Sequence, residues 1–252
     1  MAIKKTSQQH KTYGLIGKNI SYSFSKNHFS KKFESERIEN TSYVNFDLNT
    51  IDEFPEIFKS THSIQGLNVT IPYKEDIIPY LDKVNSKAIR IGAINTIRIT
   101  KKGKLKGYNT DEYGFRKSIL PLLEKHHKKA LILGTGGASK AIAFALKKLH
   151  LPYQFVSRKT DDNFNYNSLT ETIIKQHQII INCTPLGTFP NIDECPNIPY
   201  QAISNTHLLY DLIYNPEETT FLRKGRENGA TTCNGLKMLQ LQAEKAWQIW
   251  NK

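Results

Sequence analysis

The feature that most constrains the fold is a glycine-rich segment that directly follows a short apolar run. Residues 130–133 (ALIL) predict a buried strand, and residues 134–138 (GTGGA) follow at once. Helical periodicity covers Ser139–Lys148, with apolar residues at positions 142, 145, 146 and 149. A strand, a glycine turn and a helix in this order are typical of the first unit of a dinucleotide-binding fold.

The glycine turn has a mechanical interpretation as a pyrophosphate site. Gly134 and Gly136 permit a tight turn and close backbone approach, while Gly137 and Ala138 are small enough for the helix to pack near the strand. Backbone N–H groups at the helix start would then face a pyrophosphate. Ser139 replaces the third glycine of the strict G-x-G-x-x-G pattern, so a purely structural turn stays open. A P-loop is excluded, because Gly-Lys-Ser/Thr is missing.

The end of the next strand distinguishes between two nicotinamide cofactors. NAD-binding folds place Asp or Glu there, which would repel a 2′-phosphate. Here the strand predicted at Tyr153–Ser157 ends in a hydroxyl, and Arg158 and Lys159 follow. Two cations suit a 2′-phosphate, with Arg158 able to form a charge-assisted fork. NADP(H) is therefore the expected cofactor, and general surface basicity is the alternative interpretation.

The remaining pattern predicts an α/β protein with two series of strands and helices: a mostly parallel N-terminal series, and a second series that begins with the glycine-turn unit. Beyond the glycine-turn unit, the predicted strands and the last helix are Tyr13–Ile16, Tyr43–Leu48, Gly66–Ile71, Ile94–Ile99, Lys104–Tyr108, Ile179–Asn182, Leu208–Leu212 and Leu236–Trp250. The two strands that flank residues 101–103 are expected to form a hairpin.

Composition narrows the range of partners. The formal net charge of +12 invites a nucleic-acid interpretation, but the lysines are spread through the chain and no nucleic-acid-binding module is present. Three cysteines without a C-x-x-C pair predict neither a disulfide framework nor a zinc site, and no metal is expected. No apolar run is long enough to span a bilayer, and the basic, polar start is unlike a secretory signal. These features predict a cytoplasmic protein.

Beside the glycine turn, four further segments occur in an order and spacing that resembles the shikimate dehydrogenase family. They are residues 13–29 (YGLIGKNISYSFSKNHF), residues 66–76 (GLNVTIPYKED), GAINTI at 92–97 with GYNTDEYG at 107–114, and NCTPLGT at 182–188 with YDLIYNPEETTFL at 210–222 and NGLKMLQLQAEKAW at 234–247. Together they span nearly the whole chain. The resemblance implies two α/β domains: an N-terminal, mostly parallel α/β substrate domain of residues 1–110 plus 236–252, and a Rossmann-like NADP-binding domain of residues 111–235. The first segment departs from the family in having Lys26 in place of proline, and Lys159 stands where a threonine is usual.

The resemblance implies a catalytic pair, Lys74 and Asp111. Lys74 would donate a proton to the carbonyl oxygen as an ammonium and remove the alcohol proton in reverse. Asp111 would hold Lys74 in position and accept a bond from a substrate hydroxyl. Without the family motifs, Lys74 is simply one of many surface lysines and Asp111 a helix cap.

The resemblance also implies a set of binding residues. Ser23 and Ser25 would bind the substrate carboxylate, with N-capping as the alternative, and four more side chains would bind ring hydroxyls and nearby groups: Asn68, Thr70, Asn95 and Gln242. The implied cofactor contacts are Gly134, Gly136, Gly137, Ala138, Ser157, Arg158, Lys159, Asn182, Thr184, Tyr214 and Gly235. A structural loop is the alternative for the last four.

The implied activity is the reversible, NADP-dependent reduction of 3-dehydroshikimate to shikimate, by a monomer or a homodimer. Two alternatives stay open. One is a quinate/shikimate dehydrogenase with relaxed cofactor use, although Ser23, rather than threonine, favours shikimate. The other is a non-catalytic nucleotide-binding relative, against which the intact Lys74 and Asp111 argue.

Overall fold

A computed structural model describes residues 10–21, 23–158 and 164–252. The chain divides into two compact units. Unit 1 comprises the residues up to Asn109 together with Ala246–Lys252, and unit 2 comprises Thr110–Lys245. No helix among the described residues is long and apolar enough to cross a membrane.

Unit 1 is built on a mixed sheet of six strands in the order β2-β1-β3-β5-β6-β4. The pairs β1–β2, β1–β3 and β4–β6 are parallel, whereas β3–β5 and the β5–β6 hairpin are antiparallel. The elements are β1 (Lys11–Gly17), α1 (Phe24–Ser35), β2 (Thr41–Asp47), α2 (Ile57–Ser60), β3 (Ile64–Val69), β4 (Lys83–Val84), α3 (Ser86–Ile91), β5 (Thr96–Ile99) and β6 (Leu105–Tyr108). Short 3-10 turns lie at Ile51–Glu56 and Ile78–Tyr80.

Unit 2 is built on a sheet whose five pairings are all parallel, in the order β12-β11-β10-β7-β8-β9. The elements are α4 (Asp111–Ile119), β7 (Ala130–Leu133), α5 (Gly137–Lys148), β8 (Tyr153–Ser157), β9 (Phe164–Asn165), α6 (Glu171–Gln176), β10 (Ile179–Asn182), β11 (Leu208–Asp211), α7 (Thr220–Glu227), β12 (Thr231–Cys233) and α8 (Leu236–Trp250). The last residues of α8, from Ala246, belong to unit 1. Further 3-10 turns lie at Leu120–Leu122, Tyr166–Ser168 and Tyr200–Ala202.

The central strands of unit 2 are apolar at nearly every position because both faces of the sheet are covered. Ile132, Ile181 and Tyr210 belong to the core on one face, and Leu133 and Ile180 belong to the core on the other. From β7 the chain continues through β8 and β9 on one side of that strand and then crosses to β10, β11 and β12 on its other side. The strand order therefore reverses at β7. Ligands of open α/β sheets bind outside the carboxyl ends of the strands at such a reversal.

The predicted fold class, two α/β domains of which the second is Rossmann-like, is confirmed. The second unit boundary falls at 245/246, ten residues later than the sequence analysis placed it. The early part of α8 packs within unit 2: a Cβ added to Gly114 of α4 would lie 2.6 Å from the Met238 carbonyl oxygen and 3.1 Å from the Gln242 Cβ.

Candidate active site

The glycine turn lies at the carboxyl end of β7, at the reversal of strand order. Gly134 has φ of +101°, a left-handed value that favours glycine. Gly136 is the N-cap residue of α5, and a Cβ placed on it would meet nothing within 4 Å. The Ser139 hydroxyl, in the place of the third glycine, donates to the Gly136 carbonyl at 2.6 Å. The first-turn N–H groups of α5 have no partners within the helix, and the space beside the N-cap residue Gly136 is open.

Arg158 follows the buried end of the neighbouring strand β8. Ser157 is buried, whereas Arg158 is exposed. Lys159, the second predicted cation, lies outside the described residues. The Tyr166 hydroxyl lies near Arg158: burial raises the pKa of Tyr166 to about 12, and the charge of Arg158 opposes that rise. Tyr166, which sequence reasoning missed, has a buried hydroxyl with no hydrogen-bond partner among the described residues.

Asn182 ends β10 and organises the loop that follows it. Its Oδ1 accepts from the Thr184 backbone N–H at 3.0 Å and from the Thr184 hydroxyl at 2.6 Å. Thr184 in turn lies against the glycine turn, since its Cγ2 would be 3.3 Å from a Cβ added to Gly134. The structure therefore brings together three of the predicted cofactor residues.

Asp211, which ends β11, is a buried carboxylate that the sequence analysis did not identify. It is fully buried, and burial raises its pKa to about 6, while three hydrogen bonds oppose that rise. Its Oδ1 accepts from Asn182 Nδ2 at 3.1 Å and from the Ile213 N–H at 3.0 Å. Its Oδ2 accepts from the Thr219 hydroxyl at 2.7 Å. A single polar residue at a strand end gave no distinguishing signal in the sequence.

Tyr214 and Gly235 lie on the segments that follow β11 and β12. Tyr214 is half-buried, three residues after Asp211. The Gly235 N–H donates to the Ile213 carbonyl at 2.9 Å, and a Cβ on Gly235 would overlap the Leu212 carbonyl oxygen. Glycine is therefore required at position 235 by the close approach of two backbone segments.

In unit 1, the two predicted carboxylate-binding serines lie at the start of α1. Ser23 is the N-cap residue, and its hydroxyl accepts from the Lys26 N–H at 3.4 Å, so the capping alternative describes its contact in this structure. Ser25 is buried within the first turn of the helix. The Ser25 hydroxyl lies near the Tyr43 phenol: burial raises the pKa of Tyr43, and Ser25 opposes that rise.

Tyr43 connects Ser25 to two further predicted substrate residues. Its phenol donates to Asn68 Oδ1 at 2.8 Å. Asn68 Nδ2 donates to the Asn95 carbonyl at 3.2 Å, and the Thr96 hydroxyl donates to Asn95 Oδ1 at 3.0 Å. A buried polar chain thus runs from α1 across β2 and β3 to β5. Tyr43 and Thr96 belong to it but were missed, because polar residues are common within strands and neither position stands out in the sequence.

Thr70 and Lys74 lie on the turn that follows β3. The Thr70 N–H donates to the Ile16 carbonyl at 2.8 Å, and the Ile94 N–H donates to the Lys74 carbonyl at 2.7 Å. The second bond ties the Lys74 backbone to the segment that carries Asn95. Lys74 is half-buried. Its predicted pairing with Asp111, which belongs to unit 2, stays a prediction.

Asp111 is the first residue of α4, and its side chain is buried. The preceding Thr110 donates its hydroxyl to Gln242 Oε1 on α8 at 3.3 Å. Gln242 is buried as well. Two predicted functional residues, one catalytic and one substrate-binding, thus lie on neighbouring helices of unit 2. Among the residues that the structure covers, no cluster of His, Cys, Asp and Glu could hold a metal ion.

A parallel sheet with a glycine turn at its reversal, joined to a second α/β unit that contains a buried polar chain, defines a two-domain dinucleotide-binding protein. A family model described as the shikimate dehydrogenase substrate binding domain matches residues 15–97. A shikimate dehydrogenase (NADP(+)) of Clostridium beijerinckii is 38% identical over 95% of this chain and 92% of its own length.

Solved structures agree with this relationship. The crystal structure of shikimate dehydrogenase from Aquifex aeolicus is 33% identical, with a TM-score of 0.86 over 96% of this chain and 92% of that one. A Thermus thermophilus shikimate 5-dehydrogenase, solved with NADP(H) and shikimate, is 28% identical, with a TM-score of 0.84 over 95% and 93% of the two chains. This chain belongs to the shikimate dehydrogenase family.

Proposed function

We propose that this protein is an NADP-dependent shikimate dehydrogenase that interconverts 3-dehydroshikimate and shikimate, a step of aromatic amino-acid biosynthesis. The observation that carries the proposal is the relationship to shikimate dehydrogenases over 95% of the chain, which covers both units. Lys74 and Asp111, the residues that the mechanism requires, are both present.

The described residues of unit 2 fit the dinucleotide NADP(H). Open space lies beside Gly136 at the start of a helix of twelve residues, where backbone N–H groups favour a pyrophosphate. At the end of the neighbouring strand, Ser157 and the exposed Arg158 stand where NAD-binding folds place a carboxylate. The cofactor, when bound, supplies the hydride that reduces the ketone. Arg158 and Lys159 are proposed to hold its 2′-phosphate, and Asn182, Thr184, Tyr214 and Gly235 to border it.

Lys74 is proposed to supply the proton. As an ammonium it polarises the carbonyl and protonates the developing alkoxide, and in the oxidation of shikimate its neutral form accepts the alcohol proton. Asp111 is proposed to stabilise the ammonium and to accept a hydrogen bond from a substrate hydroxyl.

The buried polar side chains are proposed to recognise the substrate. Ser23 and Ser25, at the start of α1, bind the carboxylate, where the helix dipole favours an anion. Asn68, Thr70, Asn95 and Gln242 bind the ring hydroxyls. Three of these four are buried, so an analogue that lacks a hydroxyl would leave them unpaired and bind poorly.

The proposal includes a small-molecule substrate, no nucleic-acid partner, and a monomer or homodimer. A cytoplasmic location is also part of the proposal, because three cysteines without a pairing pattern are typical of proteins in a reducing compartment.

A two-by-two assay tests the activity. The protein is mixed with shikimate or quinate and with NADP or NAD, and nicotinamide absorbance is followed at neutral to alkaline pH. We expect strong turnover only with shikimate and NADP. Lys74→Ala should reduce turnover at least about 100-fold, the usual contribution of a general acid–base group.

Lys102→Ala provides the matched control, because Lys102 is an exposed lysine in the hairpin turn of the same unit. It should leave turnover unchanged. Equal turnover with quinate and NAD and with shikimate and NADP would show that the protein lacks the proposed specificity for shikimate and NADP. Full activity of the Lys74→Ala protein would remove Lys74 from the mechanism.

A further inference from the structure

The carboxylate of Asp211 has no part in the proposed mechanism. Asp211 is fully buried and pairs with no cation among the described residues, yet it accepts three hydrogen bonds from Asn182, Ile213 and Thr219. A buried carboxylate without a counter-ion is costly, so these donors must compensate its desolvation. Burial raises the pKa of Asp211 to about 6, which shows that the compensation is incomplete.

The hydrogen bond from Asn182 links Asp211 to the loop that faces the glycine turn. Asn182 gives its amide N–H to Asp211, which leaves Asn182 Oδ1 able to accept both bonds from Thr184. The amide of Asn182 therefore has a fixed orientation, because only its nitrogen can donate to a carboxylate. Thr184 then lies against Gly134. The Asp211 carboxylate thus affects the position of the glycine turn through the side chains of Asn182 and Thr184.

The hydrogen bonds from Ile213 and Thr219 link Asp211 to the segment that includes Tyr214. Its Oδ1 accepts from the Ile213 N–H, next to Tyr214, and its Oδ2 accepts from Thr219. Thr219 is the N-cap residue of α7, and its hydroxyl also accepts from the Leu222 N–H at 3.3 Å. A Cβ on Gly187 would lie 3.4 Å from the Thr219 Cβ, so Thr219 also supports the far end of the Asn182 loop.

We propose that Asp211 is a positioning residue that fixes the Asn182–Gly187 loop and the Tyr214 segment against the glycine turn and so sets the affinity for NADP. The inference rests on the proposed function, since it assigns a role within the proposed cofactor site. The hydrogen bonds of Asp211 go to protein side chains and backbone, so its effect on the cofactor is exerted through Asn182, Thr184 and Tyr214.

Two substitutions at position 211 separate the loss of hydrogen bonding from the loss of charge. Asp211→Leu keeps the branching at Cγ, with a larger volume, and removes both the charge and every acceptor. Asp211→Asn keeps Oδ1, which accepts from Asn182 and Ile213, and its amide can donate to the Thr219 oxygen. We expect the leucine variant to raise the KM for NADP about 10- to 100-fold, the scale for losing hydrogen bonds to a charged group. The KM for shikimate should change little, and the asparagine variant should restore most of the NADP affinity.

Tyr210→Phe is the matched control for general loosening of β11. Tyr210 is the preceding residue on the same strand, is fully buried, and shares a hydrogen bond of 2.6 Å with the Ser118 hydroxyl. Its side chain belongs to the core on one face of the sheet and takes no part in the Asp211 contacts. This substitution should lower thermal stability without a change in the KM for NADP.

Thr219→Val provides a second route if the leucine variant does not fold. It removes the donor to Oδ2 together with the N-cap acceptor of the Leu222 N–H, keeps both bonds to Oδ1, and should raise the KM for NADP by a smaller factor, about 3- to 10-fold. An unchanged KM for NADP in a folded Asp211→Leu or Thr219→Val protein would overturn the inference. So would an equal increase in Tyr210→Phe.

Direct titration with NADPH, followed by its fluorescence, separates this inference from the proposed function. If the wild-type protein binds NADPH but does not oxidise shikimate, the proposed activity fails, whereas the Asp211 inference is still decided by the dissociation constants of the variants. If the wild-type protein binds no NADPH, both fail.

Discussion

Tyr43 is the residue on which the buried polar chain of unit 1 depends. Its phenol lies between Ser25 and Asn68, and its ring stacks on Phe29 with centroids 4.7 Å apart. Tyr43→Phe retains the ring but leaves Asn68 Oδ1 without its donor. We expect the free energy of unfolding to fall by about 1–3 kcal/mol, the cost of an unsatisfied buried polar group. Urea denaturation measures this loss.

Tyr80→Phe is the comparison for Tyr43→Phe. The Tyr80 phenol donates to Asp52 at 2.7 Å, but this pair lies at the surface, where water can replace the lost partner. A smaller loss of stability is expected. Equal losses in the two variants would show that the burial of the Asn68 oxygen is not what makes the Tyr43 hydroxyl important.

Asp211 predicts a pH dependence of stability. Its pKa is raised from 3.8 to about 6 in the folded protein, so between these values the folded state binds the proton more tightly than the unfolded state. The stabilisation is complete below about pH 4 and is lost as the pH rises through about 6. From about pH 5 to about pH 8, the wild-type protein should lose about 1.4 kcal/mol more stability than Asp211→Asn, whose side chain does not titrate.

Urea denaturation of the wild-type and Asp211→Asn proteins at both pH values measures this difference. Because other groups titrate identically in the two proteins, their contributions cancel. A difference that stays constant with pH, or that changes in the opposite direction, would show that the folded carboxyl titrates at or below its ordinary pKa.

At the scale of the secondary-structure elements, a substitution at the start of α5 should impair cofactor binding with little effect on the stability of the fold. Gly136 has an extended conformation, with φ of −74° and ψ of 179°, which alanine adopts readily, and its Cβ would enter open space. Gly136→Ala should therefore cost less than about 1 kcal/mol of stability, the scale of an N-cap change. The added methyl group would occupy the space proposed for the pyrophosphate. We expect NADPH affinity to fall markedly, as measured by fluorescence titration.

Gly235→Ala is the opposite case at the start of α8. Its Cβ would overlap the Leu212 carbonyl oxygen, so the backbone itself must move. Gly235→Ala should therefore lower the stability of the protein, and thermal denaturation should detect this loss.

If Gly136→Ala bound NADPH as the wild-type protein does, the pyrophosphate would have to lie away from the glycine turn.

Sequence reasoning located best the elements that carry a strong local signal. The strands β7, β8 and β10 and the helix α8 have the predicted bounds, since apolar runs and a helical period are strong signals. The helix α5 begins two residues earlier than predicted, at Gly137, because small residues carry no periodicity. The short strands β4, β9 and β12 were not predicted: segments of two or three residues exist only through their pairing with a neighbouring strand.

The candidate site was predictable only in part, for a related reason. The glycine turn has a local mechanical signature, so its position followed from the sequence. Tyr43 and Asp211 have none, because their importance arises from partners 25 and 29 residues away along the chain. Such side chains acquire a role only when the fold brings together the ends of separate strands.

At the scale of the whole molecule, unit 1 is assembled from two separate parts of the sequence. Residues 246–252 belong to unit 1, although more than a hundred residues of unit 2 precede them. Trp250 is buried there: its Nε1 donates to the Ile97 carbonyl at 2.9 Å, and its ring packs 5.0 Å from Tyr13 and 5.3 Å from Phe29. The last turns of α8 therefore supply a core residue to the sheet formed by the first hundred residues.

Trp250→Ala should consequently destabilise unit 1 selectively. Loss of a buried tryptophan costs about 3–5 kcal/mol, and here the Ile97 carbonyl also loses its donor. Every residue of unit 2 is unchanged, and the core of that unit draws on none of the lost contacts. Hydrogen exchange with mass spectrometry should show lower protection in β1, β3 and β5, with protection retained in β7 and β10. Equal loss of protection in both sheets would mean that the two units unfold as one cooperative structure, in which the end of the chain stabilises the nucleotide unit as strongly as its own.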